Sequence, residues 1–274
     1  MALVHCARCR AVGLATSHSL NIRRLPVIPL LVAAAALAVS TVRAAYPLVV
    51  DDAGVHPPGE SEWVFSADAL RTAAVESLDA NFSLTAGLLP RLEGSLGFGY
   101  GWLRDRSPAD APTRDGVLDL TLGLKAPIFL EDAAPIAFTL SATAKLPTAS
   151  ARLGLGTGFA DWSMLAIATR SWAALSLDLN GGYTWTAVGR RAEHADDGWF
   201  AGAALRWQAS ERLLLFAETY AFLPSDGGTD STGTVRAGWQ LALRPSVLLG
   251  GAIGTGYGRG AADLMGTVGL TLNY

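Results

Sequence analysis

The chain has 274 residues, of which half are apolar and only 16% are charged, and its formal net charge is −3. This apolar content excludes a disordered chain. An acidic balance without a basic run argues against a nucleic-acid partner. After residue 42 there is no second stretch of about 20 continuous apolar residues, which excludes a polytopic helical membrane protein.

Residues 1–44 have the organisation of a secretory signal peptide. Residues 1–24 hold four arginines and no acid, residues 25–42 carry no charge, and Val42-Arg43-Ala44 places small residues at positions −3 and −1 of a cleavage site. We therefore expect export and cleavage before Ala45; an uncleaved helical anchor is the alternative. Loss of five arginines leaves 230 residues with 16 basic and 24 acidic side chains, a net charge of −8.

The two cysteines, Cys6 and Cys9, lie in that leader and form an isolated C-x-x-C. One such pair without a second is a weak metal signal, so we expect no metal site there. Because no cysteine follows Ala45, the exported chain cannot form a disulfide. Its stability has to come from a large core or from a closed sheet.

From residue 61 onward, apolar and polar side chains alternate with a period of two, the pattern of strands with one apolar face. Most of these strands are about ten to twelve residues long, which is enough for a tilted strand to cross a bilayer. We predict twelve strands, at 61–72, 76–87, 91–103, 116–126, 135–146, 161–170, 173–186, 199–207, 212–222, 232–243, 247–256 and 263–274.

The connections alternate in length, being short after even strands and mostly longer and polar after odd ones. An outer-membrane barrel has this asymmetry, with short turns in the periplasm and long loops outside. Trp and Tyr residues near both ends of the strands predict two interfacial belts. The belt on the loop side comprises Tyr100, Trp102, Tyr183, Trp185 and Trp199, and the belt on the turn side comprises Trp63, Trp207 and Tyr274.

We therefore predict an all-β fold, a single antiparallel up-and-down transmembrane β-barrel of about twelve strands in the cell outer membrane. The barrel occupies residues 61–274 and follows a signal peptide at 1–44 and an N-terminal periplasmic segment at 45–60. Closure would pair every backbone N–H and C=O within the protein, as hydrocarbon requires. The alternative is a soluble secreted β-protein with its aromatic residues in an ordinary core.

The polar faces of the strands should line the lumen. Charges of both signs in a narrow barrel tend to pair, and pairs such as Asp119 with Lys125 should cancel and leave a small surplus of acid. Two states stay open, a plug of salt-bridged side chains and a narrow water-filled path; the segment from Tyr46 to Pro58 is a further candidate plug. The lumen-lining candidates are Glu62, Asp68, Asp79, Arg91, Glu93, Asp119, Lys125, Lys145, Asp178, Arg206, Glu218 and Arg236.

Several blocks of sequence resemble a family of bacterial outer-membrane proteins. The stretch from Tyr46 to Gly54, which includes Asp51 and Asp52, is similar to the opening motif of that family. Lys145-Leu146-Pro147-Thr148, followed by Gly154, Gly156 and Gly158, resembles its central motif, and residues 177–184 resemble the strand that follows. The family comprises outer-membrane transporters named after the MetA pathway of phenol degradation. The resemblance covers nearly all of residues 46–274 and implies a small barrel that passes or takes up hydrophobic or aromatic compounds.

No catalytic, metal or cofactor site is predicted. The three glycines at 154, 156 and 158 mimic a phosphate loop, but a strand rather than a helix follows them, so we expect an external loop. The acidic loop 193–197 has the ligand types of a weak divalent-cation site, and we interpret it as a solvated loop. A hydrolase needs a histidine beside a nucleophilic serine. Only His56 and His194 follow residue 44, and no G-x-S-x-G occurs.

These observations predict a passive channel or transporter for small molecules. The alternative is a non-conducting structural barrel whose external loops bind a partner. The expected partners are the lipid bilayer and a small-molecule solute. The aromatic C-terminal residue, Tyr274, resembles the signal that the outer-membrane barrel-assembly machinery reads, which implies this machinery as a third partner. We expect Tyr274 to lie at the periplasmic interface.

Overall fold

The computed structural model describes residues 46–108, 111–131, 134–186, 197–225 and 231–274. Over these residues the chain is all-β, as predicted, and its strands form one closed antiparallel sheet. The expected leader, with Cys6 and Cys9, lies outside the described residues, as does most of the acidic loop 193–197.

The strand ends lie within a few residues of those predicted, because period-two alternation marks each strand directly. In the part of the chain that the structure describes, the strands are β1 (Ser61–Arg71), β2 (Val75–Leu89), β3 (Leu92–Asp105), β4 (Arg114–Val117), β5 (Leu120–Phe129), β6 (Ala137–Leu146), β7 (Asp161–Trp172), β8 (Leu175–Trp185), β9 (Gly198–Gln208), β10 (Leu213–Pro224), β11 (Thr232–Arg244), β12 (Val247–Gly258) and β13 (Leu264–Asn273).

The predicted fourth strand occurs as two pieces, β4 and β5, separated by Leu118 and Asp119. Both pieces pair with β3, so together they fill one position and the barrel has twelve. Leu118 maintains the pairing across the break, since its N–H donates to the Gly99 carbonyl at 2.9 Å. The Asp119 carboxylate leaves the ladder and accepts from the Ala149 N–H in the loop after β6, at 2.9 Å.

Pairing of β1 with β13 closes the barrel. At the end of this seam Ser61 and Tyr274 exchange two backbone hydrogen bonds, each 2.9 Å long. The ring of Tyr274 lies 5.6 Å from that of Trp63. The C-terminal residue therefore belongs to the closing pair of strands.

The two ends of the barrel differ, as the connection lengths predict. We call the end where β1 begins and β13 finishes the terminal end, and the opposite end the loop end. Turns of two residues, such as 90–91 and 173–174, occur at the terminal end, whereas the loop after β6 covers 147–160. This loop contains a 3₁₀ turn at Ala151–Leu153. In the described part of the chain, no helix has the length and apolar character needed to cross a membrane.

Burial along the strands is the reverse of that in a soluble protein. Phe98, Leu179 and Val268 are about half exposed, at 50%, 48% and 51%, whereas Asp178 and Thr139 are fully buried. The exposed apolar side chains occupy alternate positions on one face of the sheet. A continuous apolar surface of this size marks contact with lipid, so the polar faces point inward.

The alternation of faces generates a prediction for substituted barrels. Arginine at Leu179, which is exposed near the middle of β8, should cost about 2–4 kcal/mol of unfolding free energy because it places a charge in hydrocarbon. Arginine at Ser83, on the inward face of β2, should cost clearly less. Denaturant unfolding from lipid vesicles measures both values, and equal costs would show that the faces are wrongly assigned.

Candidate functional site

Residues 46–58, which we call the lumen segment, lie inside the barrel. Val50 and Ala53 in this segment are fully buried. The segment leaves the lumen at the terminal end, where Pro58 forms a bridge with Gly87 of β2 before β1 begins. From the sequence this stretch is expected to be part of an N-terminal periplasmic segment and is also a candidate plug, and in the structure it lies in the lumen as a plug would.

The first part of the lumen segment is bonded to β10 and β11. The N–H groups of Val49 and Val50 donate to Glu218 Oε2 at 3.0 and 2.8 Å. Arg236 holds the other oxygen of this carboxylate at 2.6 Å and also donates to the Pro47 carbonyl. One carboxylate thus satisfies two backbone donors and a guanidinium.

The middle of the segment is bonded to β6, β7 and β8. The side-chain amide of Asn180 accepts from the Asp51 N–H at 2.7 Å and donates to the Asp51 carbonyl at 2.8 Å. The Ala53 N–H donates to Thr169 Oγ1 at 2.8 Å, and Thr139 Oγ1 donates to the Ala53 carbonyl at 2.6 Å. Side chains of the wall therefore supply partners for backbone groups that lie in no sheet ladder.

The two acids of the resembling motif meet basic residues of the wall. Lys125 Nζ lies 2.9 Å from the Asp51 carboxylate. Arg206 forms a two-pronged pair with Asp178, at 2.6 and 3.0 Å, and its third nitrogen lies 3.6 Å from Asp52. All these charges except that of Asp51 are largely buried, so each ion pair offsets a desolvation cost.

The last part of the segment is held by Glu93 of β3. Glu93 Oε2 accepts from the His56 N–H at 2.8 Å and lies 2.6 Å from His56 Nδ1. Beyond this contact the Gly87 N–H donates to the Glu60 carbonyl at 3.0 Å. The contacts of His56 with Glu93 therefore anchor the last part of the lumen segment to the wall.

Glycines of the wall mark where the lumen segment passes. A Cβ on Gly202 would lie 2.8 Å from Val50, and one on Gly250 would lie 2.9 Å from Pro47. A Cβ on Gly87 would overlap Pro57, and one on Gly269 would overlap Tyr46. Only glycine permits so close an approach between wall and segment.

A second group of charges lies at the loop end. Lys145 pairs with Asp119 at 3.2 Å and with Asp161 at 2.8 Å, and its ammonium donates to Thr157 Oγ1 at 2.7 Å. The expected pairing of Asp119 with Lys125 is therefore wrong. Asp119 directly precedes β5, and Lys125 follows it six positions later in that strand. Six residues of extended chain span about 20 Å, which is too far for an ion pair.

The glycine-rich block lies in the loop after β6, as expected of an external loop. Gly154 and Gly158 have φ of +75° and +76°, which glycine adopts without strain. Gly156 packs against the Asp119 carboxylate and Ala149. The loop thus folds onto the mouth of the barrel.

The remaining candidates lie in two places. Arg91 differs from its expected inward position, because it lies in the turn between β2 and β3 with an exposed side chain that donates to the Ile128 carbonyl at 2.7 Å. Glu62 and Asp68 lie on β1, and Asp79 lies on β2. These three acids share the face that carries Ser66 and Ser83.

Sequence reasoning did not single out the neutral anchors of the lumen segment. Asn180, Thr169, Thr139 and Gln240 are each 7% exposed or less, and Gln240 donates to the Tyr46 carbonyl at 2.8 Å. The alternation along each strand predicts that these side chains face inward, but hydroxyl and amide residues are common on every inward face. No signal separated these four from the others.

Among the described residues, no group of three or more acids, histidines or cysteines has the arrangement of a metal site. Residues 193–196 of the acidic loop lie outside the described part of the chain, so their metal-binding capacity is untested.

No family model matches the chain, and no curated protein matches it. Many solved structures resemble its fold, and two of them illustrate the likeness. An outer membrane channel from Pseudomonas putida F1 has a TM-score of 0.68 and 16% sequence identity, over 81% of this chain and 98% of that chain. The NanC porin has a TM-score of 0.56 and 7% identity, over 76% of this chain and 98% of that chain. These likenesses show the fold, a closed β-barrel, and the exposed apolar outer face of this barrel is of the kind that contacts the outer membrane.

The bonds to Asp51 generate a prediction about the lumen segment. Asn180→Leu would leave two backbone groups of Asp51 without partners, at about 1–3 kcal/mol each, and so favour release of the segment. A cysteine introduced at the fully buried Ala53 should then react with a thiol reagent about tenfold faster for each 1.4 kcal/mol.

Ser83→Leu is the matched control, because Ser83 faces the lumen on β2 and makes no hydrogen bond to the lumen segment in the described structure. It should leave the labelling rate at Ala53→Cys unchanged. The anchoring role of Asn180 would be refuted if both leucine variants gave the same rate.

Proposed function

We propose that this barrel is a passive outer-membrane channel for small molecules, with a path that runs along the inward faces of β1, β2 and β3. The observation that carries the proposal is the unequal covering of the lumen wall. Ile167, Asp178, Ala204 and Glu218, on β7 to β10, are 3% exposed or less. On the opposite wall Val64 and Asp79 are also buried, but most of the other inward side chains of β1 and β2 are partly accessible.

The accessible wall is polar and built from small residues. Ser66, Ser83 and Thr85 on β1 and β2 are half-buried, and Ser95 on β3 is exposed although it faces inward. Hydroxyl groups of this kind solvate a passing molecule without binding it strongly, as conduction requires. A path lined in this way therefore favours passage of a small molecule over tight binding of it.

Aromatic side chains at the loop end support passage of apolar or aromatic solutes as part of this function. Phe200 and Tyr220 face inward with ring centroids 6.1 Å apart, and Phe222 lies opposite Phe200 across β9 and β10. Phe200 is only 5% exposed, and the half-buried rings of Tyr220 and Phe222 would attract aromatic rings by offset or edge contacts. Membership of the MetA-pathway phenol-degradation transporter family remains a proposal, which the resembling motifs at Asp51 and Asp52 and at Lys145 support.

A non-conducting barrel is the second candidate, and the lumen segment favours it. Wall residues on strands from β3 to β11 bond this segment along its length, so it occupies part of the lumen. In that case the loops at the loop end would carry the function by binding a partner.

Conductance in planar bilayers distinguishes the two candidates. The wild type should conduct with a small single-channel conductance, and deletion of residues 47–57 should increase it because the segment occupies part of the lumen. A silent wild type with a conducting deletion variant would support the non-conducting barrel. The double variant Asp51→Asn/Asp52→Asn keeps the chain length and removes two charges, so it should give an intermediate conductance.

We further propose that the barrel-assembly machinery recognises the C-terminal strand through Tyr274. The exposed ring of Tyr274, placed beside Trp63 at the terminal end, supports this role. Deletion of Tyr274 should sharply reduce the heat-modifiable, membrane-assembled form, because both the ring and the closing bonds to Ser61 are lost. Tyr274→Phe, which retains the ring and the backbone, is the control and should assemble normally; normal assembly of the deletion would contradict the role.

A further inference from the structure

The inward acids of the lumen fall into two groups. Asp119, Asp178 and Glu218 each lie within 3.2 Å of a basic group, and Glu93 binds His56. Asp68, Asp79 and Glu62 have no ion-pair partner among the described residues, and of these three only Asp68 and Asp79 are direct neighbours. Asp68 and Asp79 lie on the inward faces of β1 and β2, where the proposed path runs.

Asp68 and Asp79 are direct neighbours. The register of β1 and β2 places them opposite each other on the same inward face. Like charges in directly opposed positions of a sheet destabilise it. Asp68 is bonded by three donors, which are Asn81 Nδ2 at 2.7 Å, Ser66 Oγ at 3.0 Å and the Thr267 hydroxyl, so its orientation is fixed.

Asp79 is the unusual member of the pair. Its side chain is only 7% exposed, yet it has neither a hydrogen bond nor an ion pair in the described structure. Its carboxylate points over Gly101 of β3, where a Cβ would lie 2.8 Å from Asp79 Oδ1. One step along the same face, the hydroxyl of Ser77 is also buried without a partner. A buried carboxylate without a donor is costly, and a cation in the lumen would supply what is missing.

We propose that Asp68 and Asp79 form a cation-binding site on the wall of the path, and that the channel therefore favours cations, including small organic ammonium ions, over anions. The proposal rests on the proposed channel function. Carboxylate oxygens, with hydroxyl oxygen nearby, are ligands for hard cations and acceptors for ammonium donors. Asp119, Asp178 and Glu218 contribute little, because their charges are already matched by basic groups.

The reversal potential in a planar bilayer under a KCl gradient measures this preference. The wild type should favour K⁺ over Cl⁻, and the preference should weaken as salt screens the charges. The double variant Asp68→Asn/Asp79→Asn keeps the side-chain shapes and should bring the permeability ratio to about one. Replacing KCl with methylammonium chloride should preserve the sign of the wild-type potential if the site also accepts ammonium ions.

Glu76→Gln is the matched control, because Glu76 lies on β2 three residues from Asp79 but faces outward, where it pairs with Arg71 and Arg104. It removes one negative charge from the strand that carries Asp79 and should leave the permeability ratio unaltered. A heat-modifiable band should show that every variant is folded.

The outcomes separate the two proposals. A wild type without conductance would refute the channel and leave nothing for the site to select. A conducting wild type with no cation preference, or one whose preference survives Asp68→Asn/Asp79→Asn, would overturn the cation site while the channel stands. Equal loss of preference in Glu76→Gln would also overturn it, because an outward charge would then explain the effect.

Discussion

Backbone groups that face hydrocarbon have no water to bond with, so each one needs a partner within the protein. Pairing of β1 with β13 meets this requirement by removing both free edges of the sheet. Once the sheet is closed, strict alternation directs one face of every strand to lipid and the other to the lumen. The exposed apolar residues and the buried charges both follow from closure, and neither a disulfide nor a packed apolar core is needed.

Closure of a twelve-position barrel also encloses space in the lumen, and the lumen segment fills part of it. Side chains just fill a barrel of about eight strands, so one with twelve positions and many small inward residues encloses extra space. An irregular segment can enter that space only if its backbone finds partners. Glu218, Asn180 and Thr169 provide them from three different strands, and wall glycines such as Gly202 provide the room.

The fold was predictable from the sequence because strand position, face and connection length are all local properties. The site was only partly predictable, because its bonds join residues far apart in the chain, such as Gln240 and Tyr46. Parity shows that Asp119 and Lys145 point inward, but the partner of each depends on strand register and on loop folding. Residues 46–58 have no periodicity, so only the resemblance drew attention to Asp51 and Asp52.

The wall charges are largely matched before the lumen segment adds to them. Arg206 is 2.6 Å from Asp178 but 3.6 Å from Asp52, and Arg236 likewise has Glu218 on the neighbouring strand. Lys125 depends on Asp51 of the segment, yet the register of β3 and β5 places it directly opposite Glu93. If the segment withdrew, Lys125 and Glu93 would lose Asp51 and His56 together and could pair with each other. Withdrawal would therefore leave no buried charge of these pairs without a partner, and the main cost of moving the segment is the loss of its hydrogen bonds to the wall, among them those of Val49 and Val50 to Glu218.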